Sequence, residues 1–170
     1  MTRLLFLLAV CGLFAGCTGP EYSYVRSGTP TMKLEFHRAS VKPVDNWSAM
    51  EAPGPETLYV CPTVEITNED LVSSGVRQEG GGFLIVLRLN ADAAKRFGKL
   101  SESMVGVDGI YPERLAVIVD GKIIVAPSVT APMHDGLIPV SGPWLKKEAE
   151  HIAQGLVSAV SDNAIGHKEK

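Results

Sequence analysis

The sequence predicts a single small α+β domain, a mostly antiparallel sheet with helices packed on one face, preceded by an apolar leader and a flexible tether. Three patterns predict the fold. Two β-rich runs, LAVIV and KIIVA, flank Asp120-Gly121, and that pair suits a two-residue type I′ turn because both central positions need positive φ. Apolar residues recur at helical spacing at Ala93, Phe97 and Leu100, and again at Leu145, Ala149, Ile152 and Leu156. Strand-like runs lie between these helices, and joining strands by a hairpin implies an antiparallel sheet rather than a wound parallel one.

The leader comes first. Arg3 supplies a positive charge, Leu4 to Phe14 is almost unbroken apolar, and Ala15-Gly16-Cys17 closes the run. That run is shorter than the ~20 residues a spanning helix needs. Its small-small-Cys ending resembles the lipobox of bacterial lipoproteins, although Phe14 stands where Leu is usual. In that family the cysteine thiol is lipidated, the peptide is cut before it, and the new N-terminus is acylated. An ordinary cleaved signal and an uncleaved anchor are the alternatives. Residues 1–16 are read as signal peptide and Cys17 as the lipidation site. Each buried methylene contributes ~0.8 kcal/mol, so several acyl chains on Cys17 hold a protein on a membrane almost permanently. Thr18 follows, whereas Asp there is the inner-membrane retention signal of enteric-type sorting. The expected address is therefore the outer membrane, facing the periplasm.

Residues 17–31 read as lipidated cysteine and tether, since TGPEYSYVRSGTPT has no strand or helix period. Fully extended, its fourteen residues reach ~45 Å at ~3.3 Å each. The domain is expected over 32–160. Lys33 to Ser40 alternates, with Leu34 and Phe36 inward and Lys33, Glu35 and His37 outward. Val41 to Glu56, with three prolines, reads as a long loop. Thr57 to Val64 is a strand that Pro62 places at an edge or a strand end. Thr67 and Asp70 form a capping box for a helix over about 67–75, with Ile66 stapling to Leu71 and Gly75 as its stop. Gly80-Gly81-Gly82 is a flexible turn. Phe83 to Leu89 is a strand buried on both sides, Asn90 caps a helix over 91–103, the hairpin follows, and a last helix covers 144–160. Residues 161–170 form a polar tail.

Without the signal, 154 residues remain, and loss of Arg3 takes the formal net charge from −3 to −4. No basic block stands out, which argues against a nucleic-acid partner. Cys11 leaves with the signal and Cys17 takes lipid, so Cys61 is alone and no internal disulfide is expected. Cys61 reads as a small buried hydrophobe; a nucleophile or an intermolecular link is the alternative.

Residues for catalysis do not converge. His37, His134, His151 and His167 lack metal-ligand spacing, and no cysteine pair completes a zinc site. No metal or cofactor is expected. His134-Asp135 reads as a solvated turn, and Ser141 lacks the glycine frame of a nucleophile elbow. Gly80-Gly81-Gly82 precedes a strand and lacks Lys-Ser/Thr, so it is no phosphate loop. Lys146, Lys147, Glu148 and Glu150 form a mixed-charge helical surface. Trp144 is either core or a binding hot spot. With the hairpin tip Asp120, Gly121 and Lys122, it makes the candidate binding surface.

The order of these pieces carries a resemblance. TNEDL from Thr67, LIVLRLN, ADAAKRFGKLS, LAVIVDGKIIVAPSV, IPVSG and EAEHIAQGL follow one another as in the head subdomain of the large periplasmic domain of SecD, the protein-export translocase subunit. The resemblance covers about Thr57 to Leu156. Departures include Leu145 in place of a Ser or Thr helix cap, an apparent insertion over Val107 to Glu113, and the polar tail in place of a Gly-rich exit. SecD also sets this subdomain between proton-coupled transmembrane helices that are not found here. The resemblance implies a head without its motor, from which energy-driven transport is not expected. It implies a non-catalytic envelope module that binds unfolded secretory protein or translocase components, through a sheet edge or the groove beside the hairpin. A structural lipoprotein that scaffolds a complex through a folded partner is the alternative. Oligomeric state is not legible.

Overall fold

The computed structural model describes residues 22–105 and 113–157. The leader, Cys17, most of the Val107–Glu113 insertion and the polar tail lie outside them. In chain order the elements are β1 (Tyr22–Val25), β2 (Leu34–Ser40), β3 (Ser48–Glu51), β4 (Thr57–Val60), β5 (Ile66–Thr67), a 3₁₀ turn (Asn68–Asp70), β6 (Leu71–Glu79), β7 (Gly82–Leu89), α1 (Ala91–Met104), β8 (Arg114–Val119), β9 (Lys122–Val125), β10 (Leu137–Ser141) and α2 (Lys146–Val157). All strand pairings among them are antiparallel. The fold is α+β, as expected, but the strands form two sheets rather than one. The first has the order β1-β6-β7-β10; the second runs β3-β4-β2-β8-β9, with β5 also on β2. No helix among the described residues is long and apolar enough to cross a membrane.

One core lies between the sheets and the helices. Val76, Ile85 and Leu87 enter it from the first sheet, Leu34, Phe36 and Val117 from the second, Phe97 from α1 and Leu156 from α2. Phe36 and Phe97 meet with ring centroids 6.5 Å apart at 57°. Burying each contributes up to about 3 kcal/mol. The second sheet is also buried on its other face, where Ala39, Leu58, Val60, Ala116, Ile118 and Ile123 form a smaller core. Its edge strands β3 and β9 touch, so the sheet coils around that core. This coiling explains why His37, expected on a solvent face, is buried, with Nδ1 2.8 Å from the Cys61 carbonyl oxygen.

Several local readings hold. Asn90 Oδ1 accepts from Ala93 N at 2.9 Å and caps α1. Asp120 and Gly121 have φ of 48° and 78°, as a type I′ turn requires. The strand through Phe83–Leu89 is central, between β6 and β10: Ile85, Leu87 and Leu89 are buried inward, while on the other face Leu84 is buried, Val86 half-buried and Arg88 exposed. The Thr67–Asp70 capping box forms: Thr67 Oγ1 accepts from Glu69 N at 3.2 Å and Asp70 Oδ2 from Thr67 N at 3.0 Å.

Other readings are corrected. The capping box opens a single 3₁₀ turn, and Leu71–Glu79 is a strand in place of a helix over 67–75. Val72-Ser73-Ser74-Gly75 has little helix propensity, and pairing with both β1 and β7 satisfies its backbone instead. Gly75 lies inside that strand; Gly80 and Gly81, at φ 59° and 83°, make the hairpin turn. The loop over Val41–Glu56 contains β3, which pairs with β4. The tether is shorter than expected, because Tyr22–Val25 pairs with β6 and Tyr24 is buried. Cys61 lies just past β4 and is half-buried rather than buried. Leu145 is 72% exposed, because it precedes the first helical residue and so falls off the inward stripe. Glu148 Oε2 accepts from Leu145 N at 2.8 Å, the acidic half of a capping box without its Ser or Thr half.

Candidate functional site

The surface that best suits a ligand is an apolar cleft at the open edge of the first sheet. After the hairpin the chain continues along β8: Leu115 N donates to Pro127 O at 2.9 Å and Val129 N to Glu113 O at 2.9 Å. It then crosses to α1, where Met133 N donates to Ser101 Oγ at 2.9 Å and Ser101 Oγ to Gly98 O at 2.8 Å. Gly98 permits this approach, since a Cβ there would lie 2.9 Å from His134 Nδ1. Held on both sides, the 127–133 segment stands off β10 and leaves a cleft of about 220 Å³. Leu115 and Val117 form its floor, Pro127 to Ala131 and Met133 one wall, and Ile138, Pro139 and Val140 the other. An apolar cleft of this size accepts a side chain or two, not a large cofactor.

The adjoining edge has limited hydrogen-bonding capacity. Leu89 N donates to Gly136 O at 2.9 Å, and antiparallel alternation then turns the main-chain groups of Leu137, Pro139 and Ser141 outward. Pro139 has no N–H, and Leu137 N already donates to Asp135 Oδ1 at 3.0 Å. The edge therefore offers carbonyl oxygens and few donors, as a protected edge strand does.

The predicted binding residues do not converge there. Asp120 Oδ1 accepts from Lys33 N at 2.8 Å, so its carboxylate holds the start of β2; Gly121 and Lys122 are exposed beside it, at the end of the hairpin away from the cleft. Trp144 is half-buried against the main core, and its ring covers Gly142. The hairpin tip and Trp144 sit at opposite ends of α2: Lys33 follows Met32, whose N–H donates to Gly155 O at 3.2 Å, while Trp144 precedes the helix. Twelve helical residues separate them by ~18 Å. His134 and Asp135 also diverge, His134 Nε2 lying 3.4 Å from Glu102 and Asp135 turning to Leu137. Among the described residues no three His, Cys, Asp or Glu side chains gather as metal ligands would. Arg38 and Glu113 form a two-pronged ion pair, with Nε donating to Oε2 at 2.6 Å and Nη2 to Oε1. The Glu113 hydrogen bond holds the Arg38 guanidinium above its ordinary pKa, so the pair clamps β2 to the start of β8. Sequence reasoning pointed to a sheet edge or a groove beside the hairpin but named none of the residues lining the cleft; Pro139 within the apolar run Leu137–Val140 was the available signal, marking an edge strand.

Known proteins share this architecture. The family described as SecDF, P1 head subdomain, matches residues 45–159. The protein translocase subunit SecD of Acidaminococcus fermentans is 35% identical over 89 residues, which are 52% of this chain and 20% of that protein. This chain thus spans about a fifth of that relative's length. A solved structure of SecDF, described as a membrane component that enhances protein export, superposes with a TM-score of 0.59 at 18% identity, covering 76% of this chain and 64% of that one. SecDF in its super-membrane-facing form gives 0.59 at 19% identity, over 76% and 19% of the two chains. The family match takes in most of the described domain, and the chain belongs to the SecDF P1 head subdomain family.

Proposed function

We propose that this chain is a non-catalytic, lipid-anchored binding module of the cell envelope that serves protein export by engaging polypeptide or an export component. Membership of the head-subdomain family is the observation that carries this reading. The apolar cleft supports it, since side chains of an extended chain can enter it with little sequence preference. The lipid sits on Cys17 and the domain faces the periplasm. SecD relatives place their periplasmic domains at the inner membrane, so the outer-membrane destination rests on Thr18 alone.

The binding test uses the chain from Thr18 to Lys170, because a later start would remove β1. Immobilised, it is expected to retain unfolded secretory protein or translocase components, and to lose them when Val129→Glu puts a charge into the cleft. Retention of neither class refutes the reading. Cys17→Ser is expected to abolish labelled-palmitate uptake; equal labelling of both forms refutes lipidation. A second reading, a scaffold that docks one folded partner, is favoured by Pro139, which leaves the open edge short of donors for strand addition. In-cell crosslinking to a single stoichiometric partner supports the scaffold, and a spread of secreted chains supports capture.

A further inference from the structure

Four residues, Thr18 to Glu21, lie between Cys17 and Tyr22, the first residue of β1, which makes five Cα–Cα steps. At no more than ~3.6 Å each, they reach ~18 Å. β1 is firmly held: it pairs with β6 through all four residues, and Arg26 N donates to Val72 O at 3.1 Å. The Arg26 guanidinium adds bonds to Asn68 O, Glu69 O and the Glu69 carboxylate, the last at 2.8 Å. A lipid on Cys17, as proposed above, therefore keeps this edge of the first sheet closer to the headgroups than the ~35 Å breadth of a domain this size. One side of the domain must face the bilayer.

The first sheet presents a suitable side. Its inner face is core, while its outer face carries the cross-strand row Val25, Ser73, Arg88 and Leu137, then Val86 and Pro139. Val25 is 43% exposed, and Val72, at the bulge beside it, 42%. Arg77 on this face is paired with Glu79 at 2.9 Å, whereas Arg88 is exposed and has no ion-pair partner among the described residues. A chain of net charge −4 without its signal thus sets a cation with no ion-pair partner among the described residues in a row of apolar and small side chains, two strands in from β1 and level with Val25.

We propose that the outer face of the first sheet lies against the bilayer that holds Cys17, with Arg88 among anionic headgroups and Val25 and Val72 at their level. The experiment uses lipidated full-length protein in vesicles of phosphatidylethanolamine and phosphatidylglycerol, on a Cys61→Ala background. An environment-sensitive fluorophore is placed at Val86→Cys, two strands in from β1, or at Ala49→Cys on the far edge strand β3. Nitroxide-bearing lipid is expected to quench the Val86 probe and leave the Ala49 probe unquenched. Arg88→Gln is expected to lower the docked-to-undocked ratio about fivefold, the factor one basic side chain contributes at an anionic surface. A flexible insert after Thr18 is expected to weaken quenching without changing flotation. Equal quenching at both sites in protein that floats and carries palmitate overturns the docking face and leaves the anchor standing. Absence of palmitate overturns the anchor and the docking with it.

Discussion

Replacing Asn68 with Ala removes one side chain that joins three distant parts of the chain. Asn68 Oδ1 accepts from Leu34 N at 2.8 Å, at the start of β2, while Nδ2 donates to Met32 O at 3.0 Å and to Leu156 O at 2.8 Å, near the end of α2. Leu34 and Leu156 are buried, so the groups left behind cannot readily turn to water. A buried donor or acceptor without a partner costs ~1–3 kcal/mol, and each net hydrogen bond contributes ~1 kcal/mol. Because the amide also closes the core between β2 and α2, Asn68→Ala is expected to cost about 3 kcal/mol, a large share of the ~5–15 kcal/mol typical of a domain. Urea unfolding followed by far-UV circular dichroism, on the chain from Thr18, reads this as a lower midpoint with unchanged slope. In a thermal scan it amounts to a fall of roughly 10 °C. Asn68→Asp keeps the acceptor but turns a carboxylate toward two carbonyl oxygens, one at the negative end of α2, and is expected to be at least as damaging at neutral pH. A loss below about 1 kcal/mol for the Ala variant would show that water replaces the amide freely, and would refute the reasoning.

Gly142→Ala places a Cβ 2.5 Å from two atoms of the Trp144 ring, so the ring must move; the expected cost is about 1–3 kcal/mol, with shifted Trp144 emission on a Trp47→Phe background, and unchanged emission would refute the close approach. Pro139→Thr restores an outward N–H on the open edge and is expected to raise the apparent mass in light scattering as concentration rises; an unchanged mass would mean that another feature guards the edge. Glu148→Ala removes the acceptor for Leu145 N and an acidic residue from the first turn of α2, and is expected to cost roughly 0.5–1.5 kcal/mol in urea unfolding, partly recovered by Glu148→Gln.

Features set by a few contiguous residues were legible in the sequence alone. The Asp120-Gly121 turn, the Asn90 cap and the Thr67–Asp70 box each depend on backbone and side chain within four positions. The amphipathic spacing of α1 is equally local, because one turn brings Ala93 and Phe97 to the same face. The family resemblance was legible too, since it rests on the order of such pieces. Tertiary structure decided what those pieces pair with. After the same capping box, Leu71–Glu79 became a strand because two partners, one more than forty residues earlier, satisfied its backbone. Tyr22–Val25 and Ser48–Glu51 are too short to signal themselves and exist through β6 and β4. The apolar cleft draws its floor from β8, one wall from the segment after the hairpin and the other from β10, so no single stretch announces it. Turn and cap energies act within a few residues, whereas strand pairing and burial draw on partners that only the folded chain brings together.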